Sequence, residues 1–115
     1  MSTEKLQAAK STVRELYAAF DAADDNDLAD ILTRHTSPNY FWRGMHPFYE
    51  QEGAQAAVDV FWLPLRRSFT SLQRREDVFI AGCNDVDDGQ TTWVASMGHM
   101  MGLFDVDWLG IPATN

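Results

Sequence analysis

The chain has 115 residues, of which 45% are hydrophobic and 23% are charged. This length suits one domain, residues 1–115, and this balance of side chains is typical of a globular protein rather than a disordered one. Nine basic residues against seventeen acidic ones give a net charge of −8. Such a charge repels phosphate backbones and anionic lipid surfaces, so neither nucleic acid nor a membrane is expected as a partner.

The sequence also bears on the cellular compartment. Cys83 is the single cysteine, so the chain cannot form an internal disulfide, as is usual in a reducing environment. No apolar run approaches the roughly 20 residues of a membrane span. Residues 1–10 are polar and mixed in charge, unlike a signal peptide. We therefore expect a cytoplasmic protein.

Two amphipathic helices are predicted at the start of the chain. The first runs from about Thr3 to Ala22, and the second is shorter and ends before Pro38, because proline cannot continue a helix. Apolar residues recur at three- and four-residue steps in both helices, namely Leu6, Ala9, Val13, Leu16, Tyr17 and Phe20 in the first and Leu28, Ile31 and Leu32 in the second.

A third helix is predicted from Gln51 towards Phe69. Its apolar stripe consists of Ala54, Ala57, Val58, Phe61, Trp62 and Leu65. Pro64 lies inside this pattern, lacks an N–H group and clashes with the carbonyl four residues back. We therefore expect a distortion of the helix near Val60.

A short strand at residues 40–42 precedes the third helix, and two long strands follow it at residues 73–81 and 91–101. The segment between the long strands is rich in turn formers, with Asp88-Gly89 as its strongest hairpin signal. Helices grouped before antiparallel strands indicate an α+β fold.

The second long strand has two different faces. Trp93, Ala95, Met97, His99 and Met101 point one way because successive side chains of a strand alternate. Thr92, Val94, Ser96 and Gly98 point the other way. Gly98 and Gly102 have no side chains, so they allow a close backbone approach or a bulge.

Three places are candidates for a binding site. Residues 40–48 hold the aromatics Tyr40, Trp42 and Phe48 together with Arg43 and His46, and they form either ordinary core or a pocket wall with a polar contact. His99 is either a core histidine satisfied by a hydrogen bond or a pocket acid or base. Trp108 is at the tip of a C-terminal loop that either covers a pocket or packs on the sheet.

Several segments in this order resemble the SnoaL-like polyketide cyclases. The segments are Trp42-Arg43-Gly44, Phe61-Trp62 with Pro64-Leu65, Gly98-His99 with Gly102, and Gly110-Ile111-Pro112-Ala113-Thr114. The family typically reads Gly-Thr-His-x-Gly followed by Gly-x-Pro-Pro-Thr-Gly. This chain has Ala113 at the second proline and Asn115 at the last glycine.

The resemblance implies a nuclear transport factor two-like fold, a cone-shaped curved antiparallel sheet wrapped by three N-terminal helices. It implies acid–base ring closure by intramolecular aldol condensation, with no metal or organic cofactor. His99 matches the histidine of the family pattern and would be the catalytic residue. The apolar binding residues would be Tyr40, Trp42, Trp62, Trp93, Met97 and Trp108, with Arg43 and His46 as polar contacts.

The family continues after its Pro-Pro-Thr-Gly turn with two further strands that carry its catalytic acidic residue, and no position of this chain matches that residue. Without those strands an edge and one side of the sheet would be uncovered, so we expect a homodimer through the sheet or a fragment of a longer chain.

Two functions stay open. One is a cyclase, or a related isomerase or hydrolase, and the other is a non-catalytic module that binds a small hydrophobic molecule or acts as a dimeric interaction module.

Overall fold

The structure, a computed structural model, describes residues 3–114, so Asn115 lies outside the described residues. The fold is α+β, as predicted. Helix α1 (Thr3–Ala22) has the predicted bounds, and a 3₁₀ turn joins it to helix α2 (Leu28–His35). Thr36 is extended and ends α2 at the predicted place.

The next segment differs from the prediction. Strand β1 (Phe41–Arg43) pairs antiparallel with a second short strand, β2 (Glu50–Glu52). Gln51, the predicted start of the third helix, lies in β2 opposite Trp42. The short strand therefore forms a separate two-stranded sheet and does not join the long strands.

Helix α3 covers residues 54–68 in three consecutive segments. Two α-helical segments, Ala54–Ala57 and Leu63–Ser68, enclose the π-helical segment Val58–Trp62. The π-helical segment ends two residues before Pro64 and contains Val60, near which the distortion was predicted. Pro64 has no N–H group and so cannot donate the normal helical hydrogen bond. The wider π-helical turn accommodates the missing hydrogen bond.

The long strands β3 (Phe69–Cys83) and β4 (Thr92–Phe104) form an antiparallel hairpin. β3 extends beyond its predicted range at both ends, and β4 does so at its C-terminal end. The turn lies where Asp88-Gly89 predicted it, with both residues at positive φ. Two bulges, between Thr70 and Gln73 and between Glu76 and Val78, add residues to β3. The alternation of side chains along β4 is therefore uninterrupted.

The core lies among the helices. Its buried residues are Phe20, Leu28, Leu32, Ala54, Ala57 and Val58, which come from α1, α2 and the first half of α3. The hairpin packs against α1 through its inner face, where Phe79 meets Tyr17 edge to face. Among the described residues, none in the hairpin is fully buried. The hairpin therefore packs on the surface of the helices and does not contribute to the buried core.

Candidate functional site

A cavity of about 330 Å³ lies between the helices and the inner face of the hairpin. This volume is at the lower end of the range of small-molecule pockets. Its lining residues are Val13, Leu16, Tyr17, Phe20, Leu32, Tyr40, Trp42, Trp62, Arg74 and Val94. We call this space the apolar cavity, because most of the side chains in its wall are aliphatic or aromatic.

Three of the predicted binding residues line the apolar cavity: Tyr40, Trp42 and Trp62. The indole of Trp42 stacks on Phe61 at 5.0 Å between ring centroids. It also lies over Gly44, where a Cβ atom would come within 2.3 Å of the ring. Trp42 is thus held by contacts with Phe61 and Gly44 while it contributes to the cavity wall.

Tyr40 supplies a polar atom to this wall. Burial raises the pKa of the Tyr40 phenol, and the neighbouring Tyr17 phenol raises it further. The Tyr40 hydroxyl therefore stays protonated at neutral pH and can donate or accept a hydrogen bond.

Arg43 and His46 were predicted as polar contacts, but the structure places both away from the cavity. Arg43 is exposed, 3.7 Å from Glu50 and over the ring of Phe41. His46 is exposed, with its Nδ1 2.6 Å from the Tyr49 hydroxyl. Neither residue is among those that line the apolar cavity.

Trp108 packs in an aromatic cluster and does not line the apolar cavity. Its ring stacks on Phe48 at 5.6 Å and approaches Phe61 and Phe69. The start of the tail is fixed because the N–H groups of Asp105 and Val106 both donate to the Ser68 carbonyl. The alternatives for this segment were to cover a pocket or to pack on the sheet, and in the structure Trp108 packs against other aromatic rings.

His99, Trp93 and Met97 share one face of β4, as the alternation predicted, but that face points away from the helices. Val94, on the opposite face, lines the apolar cavity. His99 is therefore not among the residues that line the apolar cavity. Its Nδ1 lies 2.9 Å from the Asp77 carboxylate and 3.0 Å from an Arg75 nitrogen, in an exposed cluster beside the second bulge.

Sequence reasoning missed the most polar residue of the cavity wall. Arg74 follows the first bulge on the inner face of β3 and makes two hydrogen bonds of 2.8 and 3.0 Å to Asp21. Its guanidinium also lies 4.0 Å from the centre of the Tyr17 ring. The hydrogen bond to Asp21 is the main cause that raises the pKa of Arg74, so this side chain is always charged.

A second cavity, of about 270 Å³, adjoins the first. Phe20, Trp62 and Arg74 line both spaces. The second space alone also includes Asp21, Asp25, Arg66, Phe69, Ser71, Leu72 and Met100. We call it the polar cavity, because two arginines, two aspartates and a serine contribute to its wall.

Arg66 forms the far side of the polar cavity. It donates to the carbonyls of Phe20 and Ala23 at the end of α1, at 3.1 and 2.5 Å, and lies 3.3 Å from Asp25. The side chains of Arg66 and Arg74 are only 21% and 18% exposed. Both arginines are therefore largely buried rather than solvated.

Within residues 3–114, no group of three histidine, cysteine or acidic side chains is arranged to hold a metal ion. A helix with the length and apolar composition needed to cross a membrane is not found in the same part of the chain. In comparisons with known proteins, no family model, no curated protein and no solved structure matches this sequence.

Proposed function

We propose that this chain binds a small hydrophobic molecule in the apolar cavity. The observation that carries the proposal is the half-open space of about 330 Å³ that is lined by α1, α2, β1, α3 and the two long strands. The aliphatic and aromatic side chains that line this space present apolar surface to water. A ligand that fills it would remove that surface from water and add van der Waals contacts with the wall.

The chemistry of the wall favours binding over catalysis. The lining residues, all within the described part of the chain, include no histidine and no carboxylate, and the two aspartates of the adjoining polar cavity are each paired with an arginine. Proton abstraction next to a carbonyl needs a base within hydrogen-bond reach of the substrate. Tyr40 and Arg74 can donate hydrogen bonds but are poor bases at neutral pH. His99, the catalytic residue that the resemblance implies, does not line this cavity. The resemblance remains the basis for expecting a SnoaL-like identity, a cone-shaped fold and cyclase activity.

The ligand proposal predicts that filling the cavity abolishes binding. In Val94→Phe, the larger side chain occupies space that the ligand needs. We therefore expect the affinity of this variant for naphthalene to be at least about tenfold lower than that of the wild-type chain. Equilibrium dialysis measures the affinity. Val86→Phe is the matched control, because Val86 is almost fully exposed in the hairpin turn. Equal affinity of Val94→Phe and the control, or no binding by the wild type, would refute the proposal.

A second candidate function, homodimer formation, is favoured by the outer face of the hairpin. Val78, Ile80, Trp93, Ala95 and Met97 form an apolar surface there, which we call the outer patch. Trp93 and Met97 are 61% and 67% exposed. The members of the outer patch are uncharged, and the cluster of Arg75, Asp77 and His99 lies beside them on the same face. Two copies can therefore bury the patch with that cluster at its rim.

The dimer proposal predicts that a charge in the outer patch separates the copies. In Met97→Lys, an ammonium group would be buried at the interface, so we expect the dimer to dissociate at a concentration at least about tenfold higher than for the wild type. Sedimentation velocity over the micromolar range measures this. Val86→Lys adds the same charge outside the patch and should leave the dimer intact. A wild-type chain that sediments as a monomer would contradict the proposal.

A further inference from the structure

We infer that the two cavities form one bipartite site for a neutral amphipathic molecule, with its apolar body in the apolar cavity and a hydroxyl or carbonyl group in the polar cavity. This inference rests on the ligand proposal above, and adds to it the chemical class of the ligand and the residue that selects it. The selecting residue is Arg74.

Arg74 stands at the junction of the two spaces. Its guanidinium lies over the ring of Tyr17, which lines only the apolar cavity, and is bound to Asp21, which lines only the polar one. Phe20 and Trp62 line both spaces and pack edge to face at 5.3 Å. A molecule that reaches from one space to the other therefore passes between aromatic rings and a guanidinium.

The charges of the polar cavity balance. Arg74 is paired with Asp21, and Arg66 is paired with Asp25. A ligand carboxylate would have to compete with these aspartates and would be repelled by them, and a ligand cation would be repelled by the arginines. A neutral group meets neither penalty.

Donors remain for such a group. An arginine has five N–H groups, which is more than the two bonds from Arg74 to Asp21 require. The first bulge of β3 brings Ser71 into the same wall, and its hydroxyl can donate or accept. A hydroxyl or carbonyl oxygen of the ligand can thus replace in the cavity the hydrogen bonds that it loses on leaving water.

Three ligands with the same naphthalene ring system test the inference by equilibrium dialysis: naphthalene, 2-naphthol and 2-naphthoate. The hydroxyl makes 2-naphthol more soluble in water, so apolar burial alone would weaken its binding relative to naphthalene. We expect the opposite order, with 2-naphthol bound about fivefold more tightly than naphthalene, and 2-naphthoate bound most weakly.

Asp21→Asn tests the selecting role of Arg74 without removing it. This change leaves the guanidinium with its charge unbalanced, so we expect the preference to reverse and 2-naphthoate to bind more tightly than 2-naphthol. Asp24→Asn makes the same change in net charge at an exposed position outside both cavities, and should keep the wild-type order.

The outcomes separate the two proposals. If naphthalene binds the wild type but 2-naphthol binds no better, or 2-naphthoate binds best, the bipartite site is refuted while the apolar cavity stands. An unreversed preference in Asp21→Asn refutes the role of Arg74 in the same way. If naphthalene does not bind the wild type at all, the ligand proposal fails first and the inference fails with it.

Discussion

Leu28→Ala is expected to lower the free energy of unfolding by about 3 to 5 kcal/mol. Leu28 is 0% exposed and is the largest fully buried side chain among the described residues. Removing three carbon atoms costs their transfer free energy plus the cost of the cavity left behind. Since a domain of this size is stable by about 5 to 15 kcal/mol, the variant would lose a large share of its stability.

Urea denaturation followed by far-ultraviolet circular dichroism measures this loss. Leu109→Ala is the matched control, since Leu109 is 52% exposed in the tail and its truncation leaves no buried space. Its free energy of unfolding should stay within about 0.5 kcal/mol of the wild-type value. A similar urea midpoint for the two variants would mean that the core does not lie around α2.

Elements with strong local signals could be predicted from the sequence. The apolar stripe of α1 gave both of its bounds, and Pro64 marked the place of the π-helical segment. Asp88-Gly89 placed the hairpin turn, because both residues tolerate the positive φ that the turn requires. In each case the physical cause lies within a few residues of its effect.

Strand β2 could not be predicted in this way. Its sequence, Glu50-Gln51-Glu52, has little preference for a strand. It is extended because β1 offers it a pairing edge, with Trp42 opposite Gln51. Pairing between segments of a chain outweighs the weak preferences of three polar residues, and the sequence pattern alone does not show which segments meet.

The site was predicted in part for a related reason. The alternation along β4 was right, but both of its faces carry apolar side chains, so the pattern could not say which face meets the helices. The resemblance implies Trp93 and Met97 as pocket wall, but Val94 on the opposite face lines the apolar cavity. Arg74 was missed because its partner, Asp21, is 53 residues away in the sequence.

Gly98→Ala is expected to destabilise the hairpin by about 3 kcal/mol, at the upper end of the range for overpacking. A Cβ atom on Gly98 would lie 1.9 Å from the carbonyl oxygen of Arg75 and 3.1 Å from the Cα atom of Glu76. These are backbone atoms of the paired strand, so they cannot move aside as a flexible side chain can. The close approach that the two glycines of this segment predicted is thus present at the second bulge.

Gly82→Ala is the control for this change, because a Cβ atom there meets nothing within 4 Å and Gly82 does not have a positive φ. It should be neutral or more stable by up to about 1 kcal/mol, since alanine restricts the unfolded chain. The urea midpoints of both variants measure the difference.

Gly98→Ala also carries a consequence for the site. Separation of the strands beside Arg75 would displace the neighbouring Arg74 from Asp21. In the absence of urea, where the variant is still folded, it should therefore lose its preference for 2-naphthol over naphthalene. If Gly98→Ala matched Gly82→Ala in stability and kept that preference, the tight contact at the bulge would not be what fixes Arg74 at the junction of the cavities.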